Sequence, residues 1–288
     1  MMSSVPRETL KKVWPDQVKD HMVSGEVFQL VYNRKKYLLE TTPIPSIERL
    51  PSYYQSEDYL SHKDESGSFF GKLYMFLRSW SISNKLKLVK RFHKEKGNLL
   101  DLGCGTGEFL LAARESGWNA SGVEPGEQAR GFALEKGLEV DSDWKTLDES
   151  SFDVICLWHV LEHIPELEEC CIKLQRLLNP GGTLIIAVPN FQSWDAKHYG
   201  SYWAAYDVPR HLWHFSKKSM EVLFKDELEL VQIRPMYLDP FYVSLLSEKY
   251  KGSNLVWARA ILSGVRSIWS GWFSKEHSSH IYILKKPE

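Results

Sequence analysis

The stretch Leu99-Leu100-Asp101-Leu102-Gly103-Cys104-Gly105-Thr106-Gly107 decides how this chain is read. Its first half is apolar and strand-like and holds an acid, Asp101. Three alternating glycines follow, and Phe109, Leu110, Leu111, Ala112 and Ala113 open a helix. The spacing predicts a strand, a tight turn and a helix start. With no Cβ on the turn, its backbone amides and carbonyls can approach a ligand closely. A carboxylate beside the turn is ill suited to pyrophosphate and well suited to an ammonium group. A dinucleotide fingerprint would need glycine at position 108, where Glu108 stands, and no Gly-Lys-Ser/Thr follows for a P-loop.

Further motifs follow in order. A second strand, Ala120 to Val123, ends in Glu124-Pro125. That acid lies about 20 residues past the glycine turn, where a carboxylate can accept both ribose hydroxyls. Phe152 to Leu157 reads as a buried strand and runs into Trp158-His159-Val160-Leu161-Glu162-His163-Ile164. Leu178-Asn179-Pro180-Gly181-Gly182 then leads into the strand Thr183 to Val188.

Together these motifs resemble the class I S-adenosylmethionine-dependent methyltransferases, whose first motif is Asp-x-Gly-x-Gly-x-Gly. The resemblance spans residues 95 to 288 and leans toward the quinone-biosynthesis and sugar or lipid branch. It implies an α/β fold: a Rossmann-like, mostly parallel seven-stranded sheet with helices on both faces. It implies S-adenosylmethionine as cofactor, bound by Asp101, Gly103, Cys104, Gly105, Gly107, Glu124, Pro125 and Trp158. Asp101, Gly103 and Gly105 would take the methionine end and Glu124 the ribose. Asp143 or Trp144, after the third strand, are candidates for the adenine side. Trp158 and His159 would stand at the mouth of the pocket.

The 288 residues can bury about three quarters of their unfolded surface, enough for one substantial core. A composition 43% hydrophobic and 25% charged is that of a globular protein, and a net charge of −1 without a long basic run argues against a nucleic-acid partner. The four cysteines are Cys104, Cys156, Cys170 and Cys171. Two sit in strand or turn motifs and two are adjacent, which argues against a disulfide framework and for a reducing, cytoplasmic setting. Met1 to Lys12 lacks the apolar run of a signal peptide, and no apolar stretch of about 18 residues exists to span a membrane.

Residues 1–68 read as a separate N-terminal segment and 69–288 as the cofactor-binding domain, with an insertion around 238–273. In the N-terminal segment, Val27 to Tyr32 and Tyr37 to Glu40 flank Asn33-Arg34-Lys35-Lys36 as a β-hairpin. Tyr53 to Gly71 reads as loop, Phe69 to Phe92 as one or two helices, and Ser279 to Leu284 as the last strand. Some relatives carry a cysteine-rich zinc ribbon ahead of a Pro-x-Pro and a Tyr-Tyr stretch. Pro43-Ile44-Pro45 and Tyr53-Tyr54 match, but no cysteine precedes Cys104, so no metal is expected.

His159-Val160-Leu161-Glu162-His163 also matches the inverted zinc-protease motif, which needs both histidines on a sustained helix. Pro165 disfavours helix just there, so a strand-to-loop exit is expected, with His163 as a structural hydrogen-bonding group. The methyl acceptor is expected near residues 191–215, dense in aromatics and basic groups past the fifth strand. His159 and His211 are candidate general bases, and Arg210 a candidate for orienting the acceptor. The implied function is methyl transfer to the oxygen or nitrogen of a small-molecule, glycan or lipid-precursor acceptor. A cofactor-binding partner protein with a degenerate acceptor site is the alternative, and a metalloprotease the third class.

Overall fold

The computed structural model describes residues 14–46, 48–54 and 69–288, with side chains of the first helix described from Ser79 onward. Of the expected loop Tyr53 to Gly71, residues 55–68 lie outside the described residues, as does the segment before Trp14; its ends are helical instead, Tyr53 and Tyr54 closing a 3-10 turn and Phe69 to Gly71 opening the first helix.

Seven strands form the main sheet: β4 (Asn98–Leu102), β5 (Asn119–Val123), β6 (Glu139–Asp141), β7 (Phe152–Trp158), β8 (Leu178–Pro189), β10 (Glu229–Pro235) and β11 (Ser279–Lys285). Their order is β10-β11-β8-β7-β4-β5-β6. The five from β6 to β8 run parallel, while β11 is antiparallel to both β8 and β10. Helices α1 (Phe69–Phe92), α2 (Glu108–Glu115), α3 (Glu127–Glu135), α4 (Leu167–Leu177) and α6 (Lys217–Phe224) connect and cover it, with the short α5 (Trp194–Tyr199) following β8. The central strands are apolar on both sides because both faces are covered. Val154, Ile155, Cys156 and Leu157 of β7 are fully buried, as are Leu99 and Leu100 of β4. Such burial contributes about 2 kcal/mol per large side chain. From β4 the chain winds outward through β5 and β6, then returns to lay β7 on the other side. That reversal opens a crevice at the carboxyl ends of β4 and β7, where ligands of such sheets bind.

The N-terminal hairpin is present as β2 (Val27–Asn33) and β3 (Leu38–Thr42), with β1 (Gln17–Lys19) beside β2. It does not stand apart. β3 pairs with β9 (Trp213–His214) from the segment after β8, through Leu39↔His214 and Glu40↔Trp213. Thr41 Oγ1 donates to the His211 carbonyl at 2.7 Å, and Thr41 N donates to the Leu212 carbonyl at 2.9 Å. The expected insertion is a pair of packed helices, α7 (Asp239–Tyr250) and α8 (Val256–Ser274). Among the described residues no helix is long and apolar enough to cross a membrane.

Candidate functional site

The glycine turn lies at the crevice. Gly103 and Gly107 have φ of +73° and +82°, and a Cβ at either would collide with a neighbour: Val160 for Gly103, Leu138 for Gly107. Both positions therefore require glycine. Gly103 N and Cys104 N donate to the Val123 carbonyl at 2.7 and 3.0 Å, tying the turn to the end of β5. Glu124 clamps it from the side. One carboxylate oxygen accepts from Gly105 N at 2.9 Å and the other from Gly126 N at 2.8 Å.

A cleft of about 750 Å³ opens there, within the range of small-ligand and cofactor pockets. Asp101, Gly103, Cys104, Gly105 and Trp158 line it, as expected from the sequence. Gly107, Glu124 and Pro125 stand behind the turn and are not among the lining residues. The cleft also takes in Lys85 from α1, Thr106, Glu108 and Phe109 from the turn and α2, and Leu238, Phe241 and Tyr242 from the start of α7. The last group closes its apolar side.

The electrostatics centre on Asp101. Burial lifts its carboxyl from 3.8 to about 7; Lys85 holds it down and Glu124 pushes it up. Burial in turn lowers the Lys85 ammonium, with Asp101 and Asp239 opposing. Lys85 Nζ lies over the Trp158 ring, 4.5 Å from its centroid, and the Trp158 indole meets Phe109 edge-on at 5.6 Å. Trp158 Nε1 is buried with no hydrogen-bond partner. An acid awaiting a cation, a lysine beside it and an orphaned indole N–H fit a ligand that is zwitterionic at one end and hydrogen-bonding elsewhere. S-adenosylmethionine has that chemistry. Lys85 carries no local signature, because Lys85, Lys87 and Lys90 look alike in sequence.

The three expected catalytic side chains are engaged elsewhere, and none lines the cleft. Arg210 is 2% exposed. Its Nη2 donates to Asp20 at 2.9 Å and Asp207 at 2.7 Å, Nε to Asp207 at 3.0 Å, and Nη1 to the Tyr53 carbonyl at 2.9 Å. Its donors are committed, so it locks the N-terminal sheet onto the segment after β8 instead of orienting an acceptor. His211 Nδ1 bonds the Ala205 carbonyl at 2.9 Å. His159 sits at φ +59°, with Nδ1 3.3 Å from Glu162 and Nε2 3.1 Å from Asp239. Burial opposes its charge, but the two carboxylates outweigh it and lift the pKa to about 10. A histidine held protonated is no general base at neutral pH. It instead pins the start of α7, with Leu238, Phe241 and Tyr242, over the cleft.

The segment 191–215, where the acceptor is expected from the sequence, is largely core. Trp203, Tyr206, Trp213 and His214 are buried, and Phe191, Tyr199, Trp203 and Tyr206 pack with Phe28, Leu39 and Tyr53 of the N-terminal part. Asp143 caps the turn Trp144–Thr146 by accepting from Lys145 N at 2.9 Å, and neither Asp143 nor Trp144 lines the cleft. His159 lies just past the end of β7 and His163 on a single 3-10 turn, Leu161–His163, so the protease helix is absent there. His163 bonds Tyr54 at 3.1 Å and the Arg210 carbonyl at 3.0 Å, the expected structural role. Glu162, His163 and His211 bring potential metal-ligand atoms within 4.8 Å of one another, a juxtaposition the sequence did not show.

The model of a family described as a methyltransferase domain matches residues 77–230. Among curated proteins, the ubiquinone biosynthesis O-methyltransferase of Idiomarina loihiensis is 30% identical over 170 residues, 52% of this chain and 69% of that protein. Its counterpart from Erwinia tasmaniensis is 30% identical over 124 residues, 39% of this chain and 51% of that protein. The chain thus matches 51% to 69% of the length of these two relatives. Among solved structures, geranyl diphosphate C-methyltransferase from Streptomyces coelicolor A3(2), in complex with S-adenosyl-L-homocysteine, superposes with a TM-score of 0.53 at 13% identity, covering 78% of this chain and 88% of its own. Haemonchus contortus phosphoethanolamine N-methyltransferase 2, in complex with S-adenosyl-L-methionine, gives 0.52 at 16% identity, covering 94% of this chain and 71% of its own. At these identities the likeness is one of fold.

Proposed function

The chain belongs to the methyltransferase-domain family, and on that premise we propose that it transfers the methyl group of S-adenosylmethionine to the oxygen or nitrogen of a small-molecule acceptor. The observation that carries this reading is Asp101, a buried carboxyl raised to about 7 beside the glycine turn, which a cofactor ammonium would hold ionised. The bound cofactor supplies a methyl already activated by its sulfonium charge. The chain's own residues bind, orient and exclude water. Asp101 takes the ammonium, Lys85 the carboxylate of the same amino-acid end, and Trp158 Nε1 a further acceptor atom. Gly103, Cys104, Gly105 and Gly107 allow the close approach. Glu124, already clamping two amides, has lone pairs left for ribose hydroxyls, with Pro125 beside it.

Leu238, Phe241 and Tyr242 supply an apolar wall for the acceptor. No histidine lines the cleft among the described residues. That favours an amine or an acidic hydroxyl, which attacks without a resident imidazole, over an alcohol that needs one. A near-neutral charge supports a small acceptor over nucleic acid, with a glycan or lipid precursor within that class. Four buried free thiols support a reducing, cytoplasmic setting. No metal enters this reading.

Two measurements test it. Calorimetry should show S-adenosylmethionine and its demethylated product binding, with NADH failing to compete. Labelled cofactor incubated with a metabolite extract should yield labelled small molecules. Absence of binding defeats the proposal. Binding without transfer to any pool turns it into the partner-protein alternative.

A further inference from the structure

Helix α8 reverses the usual amphipathic arrangement. Its buried side is Ala260, Ser263, Gly264, Ser267 and Gly271, small residues that let it lie close against the body. A Cβ at Gly264 would come within 2.5 Å of Phe241 in α7. Ser267 Oγ donates at 2.8 Å to the buried Asp195, which also accepts from Trp203 Nε1 at 2.9 Å and Ser278 Oγ at 2.6 Å. The orientation of the helix is therefore fixed by a buried polar hub. Its outer side carries Ile261, Leu262, Val265, Trp269, Trp272 and Phe273, between 54% and 75% exposed. On a helical projection these six fall within an arc of roughly 120°. Soluble monomers rarely expose so large a contiguous apolar surface without a partner for it.

Charge identifies the partner. From Lys249 to Lys275 the chain carries Lys249, Lys251, Arg259, Arg266 and Lys275 and no acid, although the whole protein has a net charge of −1. Arg259 and Arg266 border one edge of the apolar arc. Two copies meeting through this face would bring like charges together without a counter-charge. An anionic lipid surface supplies both what the apolar face and what the basic border lack. Tryptophan is favoured at such a boundary, where the indole is part buried and its N–H stays wet. We propose that α8 seats this protein on a lipid bilayer with anionic headgroups, its axis in the membrane plane and its Trp269–Phe273 end buried in the headgroup boundary. The stretch lies beyond the family-matched residues 77–230. α7, against which α8 packs, contributes Phe241 and Tyr242 to the cleft. If the methyl-transfer reading holds, the cleft then opens beside the bilayer, where amphiphilic acceptors are concentrated.

The test needs no turnover, so its failure and that of the proposed activity are separable. The full chain is floated with vesicles of phosphatidylcholine alone and of an equal phosphatidylcholine–phosphatidylglycerol mixture, at low and raised salt. The protein should float with the mixed vesicles, and less with phosphatidylcholine or raised salt. Combining Trp269→Ser, Trp272→Ser and Phe273→Ser should lower partitioning by at least about a hundredfold, since all three lose the apolar area they bury at the boundary. Arg259→Glu with Arg266→Glu should lower it by about tenfold or more on mixed vesicles only. Both variants should keep the affinity of the parent protein for S-adenosylhomocysteine. If the triple variant does not fold, Leu262→Ser, at a position 70% exposed, carries the same test at smaller magnitude. Parent protein that stays unfloated with both vesicle types overturns the proposal, as does a triple variant that floats unchanged. A dimer seen by light scattering and lost in the triple variant, without flotation, assigns the face to a second copy.

Discussion

Asp101→Asn should weaken cofactor binding and at the same time remove a pH-dependent instability of the free protein. The carboxyl is 3% exposed, and burial, moderated by Lys85, puts its pKa at about 7 against 3.8 in an open chain. Between those two values the unfolded chain has released a proton that the folded protein keeps. The contribution of this group to the stability of the parent therefore falls as pH rises from about 4 to about 7, and levels off beyond. Asparagine has no such proton, so the stability difference between variant and parent should shift in favour of the variant across that window. Binding runs the other way, because an ammonium ligand needs the carboxylate ionised. At pH 7 about half the sites are ionised, a cost of about 0.4 kcal/mol; at pH 6 about a tenth are, a cost of about 1.4 kcal/mol, or tenfold in affinity. The charge-assisted bond itself contributes about 1.5 to 3 kcal/mol. Asp101→Asn should thus weaken S-adenosylhomocysteine binding by about 10- to 100-fold near pH 8, with the gap narrowing about tenfold near pH 6. Titration calorimetry in two buffers of different ionisation enthalpy reads both affinity and protons. The parent should release protons on binding below pH 7, and the variant, which shares the ligand's own amine, should release fewer. Equal proton counts, or equal affinities near pH 8, would refute the reasoning.

Four further outcomes follow from the geometry. Glu124→Ala removes acceptors for Gly105 N and Gly126 N as well as any ribose contact, and should cost about 2 to 3 kcal/mol of S-adenosylhomocysteine affinity with the circular dichroism intact; unchanged affinity rejects the assignment. Arg210→Ala leaves Asp20 buried without its partner and should destabilise by about 3 to 5 kcal/mol while turnover per folded molecule stays normal; lost turnover at an undiminished Tm would return Arg210 to the acceptor site. Because the folded pKa of His159 is raised to about 10, its contribution is complete below about pH 6.5 and lost as pH climbs through 10. Urea midpoints should therefore fall more for the parent than for His159→Gln between neutral and alkaline pH, and parallel curves would exclude the ion pair with Asp239. Prolonged chelation should leave Tm and cofactor affinity unchanged, since His163 and His211 already bond carbonyls and Glu162 is held by His159; a drop reversed by stoichiometric zinc would make Glu162, His163 and His211 a metal site.

The sequence by itself determined the elements that depend on neighbours along the chain. The glycine turn after β4, the acid ending β5, the buried apolar strands and the hairpin around Asn33 all follow from local sterics and residue periodicity. Their order sufficed for the sheet and for the edge at which a ligand is expected, because a crevice forms where the strand order of a parallel sheet reverses. The tertiary structure decided what depends on partners distant in sequence. Arg210 looks like an acceptor-binding arginine until Asp20, 190 residues away, is folded against it. His159 looks like a base until Asp239 arrives from the insertion and fixes its charge. Lys85 is one of four lysines on α1, and only packing of that helix turns it into the cleft. In α8 the rule that apolar side chains mark the buried face fails outright. A buried Asp195 holds its Ser267, the close helix contacts admit only its small residues, and the tryptophans are left facing outward.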